Sequence, residues 1–219
     1  MTSDFAQEVS ALVAPHLPAG VRDGERLATE AGRFCALLRA ANERLNLTRI
    51  TDARGMAQLH VVDSLTALPL LRDCHTLADL GSGGGVPGIP LALARPDLRV
   101  ALLESRGRKA AALQEIVDAL GLQRRVTVTP VRGEQWLSQH TVDAVIARAV
   151  GRTPDVLALL SPVRKGLRRL ILMKGPTVDA ELTELNPKRL YALGFGLPRR
   201  LSITLPAGER RVLLQYRPR

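Results

Sequence analysis

The sequence predicts an α/β protein: a doubly wound, mostly parallel sheet of seven strands with the last strand reversed, preceded by a helical N-terminal extension. Three observations carry this. From residue 76 onward, short apolar runs alternate with amphipathic segments of helical length, the pattern of a parallel sheet covered by helices on both faces. The chain finishes on two adjacent strand-like runs, RRLSITLP (199–206) and ERRVLLQYR (209–217), overlapping a hairpin-like turn LPAGE; strands so joined pair antiparallel. Residues 1–73 instead carry apolar positions at mixed three- and four-residue spacings.

Each element follows in order. DFAQEVSALVAPHL (4–17) and ERLATEAGRFCALLRAANERL (25–45) read as helices, the second opened by Asp23 or Gly24. NLTRITDARG (46–55) clusters Asn, Thr, Asp and Gly and reads as a turn, and MAQLHVVDSLTALPLL (56–71) as a third helix. TLADL (76–80) is a short buried strand. The helix PGIPLALA follows, with Pro87 and Pro90 early enough to be tolerated. LRVALLES (98–105) is the second strand, and GRKAAALQEIVDALG (107–121) an amphipathic helix stopped by Gly121. RVTVTP (125–130), VDAVIARA (142–149) and LRRLILMKG (167–175) are strands three to five; TPDVLALLSPVRKG (153–166) and VDAELTEL (178–185) are helices. The expected organisation is a helical extension over residues 1–73 packed on a core of residues 74–219. Seven strands in this arrangement resemble the class I methyltransferase variant of the Rossmann fold.

Composition narrows the function. With 46% hydrophobic and 24% charged residues the chain can bury a core and is not of disordered composition. No apolar run approaches the roughly 20 residues of a membrane span, and MTSDFAQEVS lacks the basic-then-apolar pattern of a signal peptide. A cytoplasmic location is therefore expected. Cys35 and Cys74 are too few for a disulfide framework and lack metal-ligand spacing, so no metal is expected. Nothing calls for a dimer, and a monomer is the working expectation. The formal charge of +10 points to an anionic partner, nucleic acid first. Arginine-rich composition offers a competing explanation of that charge, since only Lys109, Lys165, Lys174 and Lys188 are lysines. Aromatic residues, at 3%, are too scarce for a broad base-stacking platform.

The stretch LADLGSGGGVPGIPLALARPDLRVALLES (77–105) carries the main chemical signal. Glycines after a strand allow a tight turn and let a ligand approach bare backbone at the carboxyl edge of the sheet. Glu104, at the end of the second strand, is placed to accept from both hydroxyls of a ribose. Two registers compete. Gly83, Gly85 and Gly88 satisfy G-x-G-x-x-G, a dinucleotide pattern. Asp79-Leu80-Gly81-Ser82-Gly83 instead places an acid on the strand two residues before the first glycine. That acid suits the ammonium and sulfonium of S-adenosylmethionine and repels a pyrophosphate, so S-adenosylmethionine is favoured. The bland alternative makes Asp79 a backbone cap.

GSGGGVPGIPLA, preceded by NLT (46–48) and HVVDSL (60–65) and followed by LLES with Lys109, VRGE (131–134), ARAV (147–150) and MKGP (173–176), resembles the ribosomal RNA small subunit methyltransferase G family, also called glucose-inhibited division protein B. The resemblance spans about residues 40–216 and keeps the motif order. It implies methylation of N7 of one guanine in bacterial 16S ribosomal RNA, with S-adenosylmethionine as donor and the rRNA or a small-subunit assembly particle as partner. It also implies cofactor contacts at Gly81, Val86, Glu104, Gly133, Glu134 and Arg148; Asp79, Gly83 and Gly85, from the strand-and-glycine pattern itself, complete the expected cofactor site. Ala147 stands where the family commonly has serine, and Gly133 where it often has alanine.

Guanine N7 has a free lone pair and no proton to lose, so a general base is optional. Methyltransferases acting on exocyclic amines resemble one another in D/N/S-P-P-Y/F after the fourth strand, where this chain reads ARAVGRTP; attack on pyrimidine C5 needs a cysteine, and neither cysteine lies at a core strand end. Arg148 is the candidate catalytic residue, set to contact guanine O6 or phosphate. The competing expectation pairs it with an acid such as Asp143 or Glu104. Lys174 is a candidate for RNA phosphate. His60, Asp63 and Ser64 share a helix and are weighed as packed residues; Asn46 and Thr48 are weighed as turn formers. Arg106, Arg108, Lys109, Arg199 and Arg200 are candidate phosphate contacts that count only as a cluster. Three alternatives stay open: an NAD-dependent oxidoreductase using the Gly83-Gly85-Gly88 register, a non-catalytic RNA-binding assembly factor, and a methyltransferase acting on a small molecule.

Overall fold

A computed structural model describes residues 2–19 and 21–219. Its centre is a seven-stranded sheet of β1 (Thr76–Leu80), β2 (Arg99–Leu103), β3 (Val126–Thr129), β4 (Ala144–Arg148), β5 (Leu170–Lys174), β6 (Arg199–Thr204) and β7 (Arg210–Tyr216), in the order β3-β2-β1-β4-β5-β7-β6. The first five strands run parallel; β7 is antiparallel to both β5 and β6. The strand order reverses beside β1, so the carboxyl ends of β1 and β4 border the crevice where open α/β sheets bind ligands.

Alternation along the strands assigns each side chain to one face. On β4, Ala144 and Ile146 join one apolar cluster and Val145 and Ala147 the other; on β5, Ile171 and Met173 oppose Leu170 and Leu172. The first cluster continues into α1 (Thr2–Val13), α2 (Gly24–Leu45), α5 (Gly88–Ala94) and α6 (Gly107–Ala119). Continuing the period puts Asp79 on the same face as Leu77, Arg148 with Ile146, and Arg211 with Leu213. The opposite face is covered by α7 (Gly133–Leu137), α8 (Thr153–Leu160), α9 (Val178–Leu182) and α10 (Pro187–Ala192).

The N-terminal helices form for ordinary reasons. Asp23 Oδ1 accepts from the backbone N–H of Arg26 at 3.0 Å and caps α2, whose buried Leu27, Ala31, Phe34, Cys35 and Leu38 recur three or four residues apart. Asn46 closes it in a left-handed conformation.

The third helix differs from its expected form. In place of one helix over 56–71, a turn α3 (Ala53–Gly55) leads into a π-helical stretch, Met56–Val62, then α4 (Asp63–Leu65) and a 3-10 turn, Leu68–Leu70. Pro69 lacks the N–H that a continuing helix needs. Two short helices, α7 and α10, were not expected. The latter has a readable start: the Asn186 side chain accepts from Arg189 N at 2.8 Å ahead of Pro187.

Candidate active site

Gly81, Gly83 and Gly85 all have positive φ, at 68°, 54° and 84°, a geometry that favours glycine three times within five residues. The turn folds back so that the N–H groups of Gly81 and Ser82 both reach Leu103 O on β2. Asp79 is fully buried beneath this turn. Its Oδ2 accepts from Gly88 N at 2.9 Å, at the start of α5, and Oδ1 has no hydrogen-bond partner. Burial pushes its pKa up to about 7, against the lowering effect of the Gly88 N–H. The capping expectation for Asp79 is seen directly at Oδ2, while Oδ1 stays buried with its acceptor capacity unused.

Glu104, at the end of β2, is also buried. Oε2 accepts from Gly83 N at 3.1 Å and Oε1 from Arg106 N at 2.9 Å. These two bonds orient the carboxylate and leave one lone pair on each oxygen. Val86 lies half-buried where the glycine turn enters α5. Gly133 opens α7, and a Cβ there would sit 2.0 Å from Leu80 Cδ1, so glycine lets α7 pack against Leu80. Glu134 follows, half-buried, in the first turn of α7.

Arg148, at the end of β4, lies on the face covered by the π-helical stretch. It donates to Leu59 O, lies 3.3 Å from Asp63 Oδ2, and its Nη2 is 3.5 Å from His60 Nδ1. The acid beside it is thus Asp63, not Asp143 or Glu104. Asp143 is occupied with Thr76, His75 N and Arg168, and Glu104 with backbone amides. The other Asp63 oxygen accepts from Arg211 Nε at 3.1 Å. His60 Nε2 meets Thr48 Oγ1 at 2.8 Å. Burial, and secondarily the Arg148 charge, push the His60 pKa down to about 4, so the ring is neutral near pH 7. Thr48 does form its expected turn, accepting from Ile50 N at 3.0 Å, and reaches His60 as well. Ala149, next to Arg148, has φ +57°, an uncommon geometry for a residue with a Cβ.

These groups line a cavity of about 430 Å³ at the carboxyl ends of β4 and β5, bordered by His60, Asp63, Arg148, Lys174, Glu181 and Arg211. Lys174 Nζ donates to Gly151 O at 2.6 Å and pairs with Glu181 Oε2 at 2.8 Å. The same Glu181 oxygen accepts from Thr153 N and Thr153 Oγ1, each at 2.6 Å. Burial alone would raise the Glu181 pKa, but the bonds from Lys174 and Thr153 hold it below its usual range. A larger groove of about 1050 Å³ between α1 and α2 is lined mostly by small residues and lies away from this polar cluster.

The expectation that His60 and Asp63 are packed, hydrogen-bonded residues agrees with their burial and bonds; sequence reasoning did not single out Thr153, Glu181 or Arg211. The π-helical winding that points His60 at Arg148 leaves no mark in the apolar spacing. The candidate RNA-contacting cations do not form one cluster. Arg106, Arg108 and Lys109 stand after β2, whereas Arg199 and Arg200 lie on β6 at the sheet's other edge, and Arg200 is paired with Asp179.

Comparison with known proteins places this geometry. The family described as "GidB: rRNA small subunit methyltransferase G" matches residues 28–194. The chain belongs to this family. Relatives carrying the name "Ribosomal RNA small subunit methyltransferase G" include one from Sorangium cellulosum, 41% identical over 186 residues (82% of this chain, 74% of the relative). Another, from Solibacter usitatus, is 38% identical over 180 residues (82% and 83%). Among solved structures, the N-terminal domain of human METTL16 in complex with SAH superposes with a TM-score of 0.62 at 16% identity, over 98% of this chain and 94% of that one. The fold is that of a Rossmann-like class I methyltransferase, and the chain is an S-adenosylmethionine-dependent rRNA methyltransferase. The residues present fit that cofactor: a buried carboxylate with an unpartnered oxygen lies under the glycine turn, beside an acid with spare acceptor capacity. No helix among the described residues is long and apolar enough to cross a membrane.

Proposed function

We propose that this methyltransferase transfers a methyl group from S-adenosylmethionine to N7 of one guanine in 16S ribosomal RNA, as free rRNA or in a small-subunit assembly particle, in the cytoplasm. Residues 74–219 form the catalytic domain, and residues 1–73 an extension that lays His60 and Asp63 over its edge. The observation that carries the reading is Asp79: a buried carboxylate with one oxygen unpartnered, which suits a cationic cofactor. The same carboxylate already occupies the start of α5 through Gly88, where a dinucleotide pyrophosphate would need a positive or neutral setting, so the NAD reading is disfavoured.

Bound S-adenosylmethionine supplies an electrophilic methyl carbon, which the N7 lone pair takes as the carbon–sulfur pair stays on sulfur. The chain's work is then positioning and charge. Asp79 faces the cationic end; Glu104 holds ribose hydroxyls through its two spare lone pairs; Gly81, Gly83, Gly85 and Val86 shape the turn; Gly133 and Glu134 border the adenine. Arg148, fixed by Asp63 and Leu59, stands between this site and the cavity at β4 and β5, where the acceptor base enters. No residue has to remove a proton, and a neutral His60 held by Thr48 serves as a support.

Titration calorimetry separates the cofactor readings: S-adenosylhomocysteine should bind and NAD should not. Tight NAD binding with no S-adenosylhomocysteine binding would overturn the assignment. Digestion of 16S rRNA methylated by the purified protein should then yield 7-methylguanosine as the new nucleoside.

A further inference from the structure

The hydrogen-bonding capacity left open in the acceptor cavity is selective. The Arg148 and Arg211 guanidinium groups share Asp63, and Lys174 is bonded to Gly151 O and Glu181. Glu181 Oε2 takes three donors, two from Thr153 and one from Lys174. Its partner oxygen Oε1 takes none and is not sealed from solvent, and Glu181 borders the cavity. A fixed, ionised carboxylate therefore offers one free acceptor oxygen to whatever enters.

We propose that Glu181 is a specificity-determining residue that reads the Watson–Crick edge of the target guanine, Oε1 accepting from the exocyclic N2–H. The inference rests on the acceptor being guanine N7. Guanine is the base with two adjacent donors on that edge; adenine N1 and cytosine N3 would present lone pairs to the carboxylate, a repulsion that rejects them. The opposite edge of the purine, with N7, is left free for the methyl. Methylation at N7 makes the purine a cation and its N1–H and N2–H better donors. The contact to Glu181 then strengthens as the reaction proceeds, so it stabilises the transition state more than the bound substrate. A volume of about 430 Å³ accommodates a base, within the roughly 300–1,000 Å³ usual for small-molecule sites.

The test uses full-length protein and small-subunit rRNA with either guanine or inosine, which lacks N2, at the methylated position. In single-turnover transfer the native protein should act on inosine roughly tenfold to a hundredfold more slowly than on guanine, the worth of a hydrogen bond to a charged group. Glu181→Gln should slow the guanine reaction by a similar factor, lose most of the guanine–inosine difference, and keep native affinity for S-adenosylhomocysteine. In the absence of cofactor the native protein should also bind guanine RNA more tightly than inosine RNA, and the variant should not. A variant that keeps the native guanine–inosine ratio overturns the proposal. If Glu181→Gln does not fold, because Glu181 also holds the start of α8 through Thr153, the native protein decides alone: equal rates on both RNAs overturn the assignment. Normal 7-methylguanosine formation with no base discrimination sinks only the Glu181 role, whereas no 7-methylguanosine from native protein sinks the functional reading itself.

Discussion

Asp63 Oδ2 lies 3.3 Å from Arg148 Nη1, joining the end of the N-terminal helical segment to the end of β4. The Asp63 side chain is 3% exposed, and its second oxygen holds Arg211 of β7. One buried charge thus keeps two cations in place.

Removing it should cost more than removing either partner. Asp63→Asn leaves two arginines facing each other, and loss of a buried partner of this kind costs about 3–5 kcal/mol. Arg148→Ala leaves Asp63 paired with Arg211 and should unfold the protein less, while lowering methyl transfer more than stability. Urea melts and initial rates on both variants check the order. A greater stability loss for Arg148→Ala would make that residue chiefly structural.

Glu104 is held by Gly83 N and Arg106 N, both in loops at the proposed cofactor site. Glu104→Ala should weaken S-adenosylhomocysteine binding roughly tenfold to a hundredfold, the worth of charge-assisted hydrogen bonds, with RNA affinity little changed. Equal loss of both affinities, measured by calorimetry and filter binding, would reassign Glu104 to shaping the fold.

Two buried groups oppose each other in pH dependence. Asp79 rises from 3.8 to about 7 on folding, so between these values the folded state holds a proton the unfolded chain has lost; its contribution is full below pH 4 and disappears as pH rises through 7. His60 falls from 6.5 to about 4, so its contribution is full above pH 6.5 and is lost as pH falls towards 4. Between pH 4 and 6.5 they offset one another. Asp79→Asn should therefore show stability rising with pH across this window, and His60→Asn stability falling. Parallel curves for the two variants in denaturant titrations would contradict these assignments.

If Asp79 faces the cofactor as proposed, it also links cofactor binding to protons. A cationic ligand favours its ionised form, so S-adenosylmethionine binding near pH 6 should release a proton, and Asp79→Asn should abolish that release. Calorimetry in buffers of different ionisation heat measures it directly.

Much of the fold was readable because its signals are local. Seven apolar runs became seven strands, and the turn LPAGE fixed the antiparallel end of the sheet. The glycine turn, Asp79 and Glu104 were readable because strand ends and turn residues lie close in sequence. The polar cavity at β4 and β5 was not. Asp63 and Arg211 are 148 residues apart, and Thr153 and Glu181 meet across two helices, so no spacing rule joins them. The π-helical winding of Met56–Val62 hid there too, since its apolar positions also satisfy an ordinary helix.

The most direct test of the function is mass-spectrometric mapping of 16S rRNA from a strain lacking this gene, with and without the gene restored. One 7-methylguanosine should vanish with the gene and return with it. A map unchanged by the deletion would contradict the proposed substrate and send the search for the methyl acceptor elsewhere.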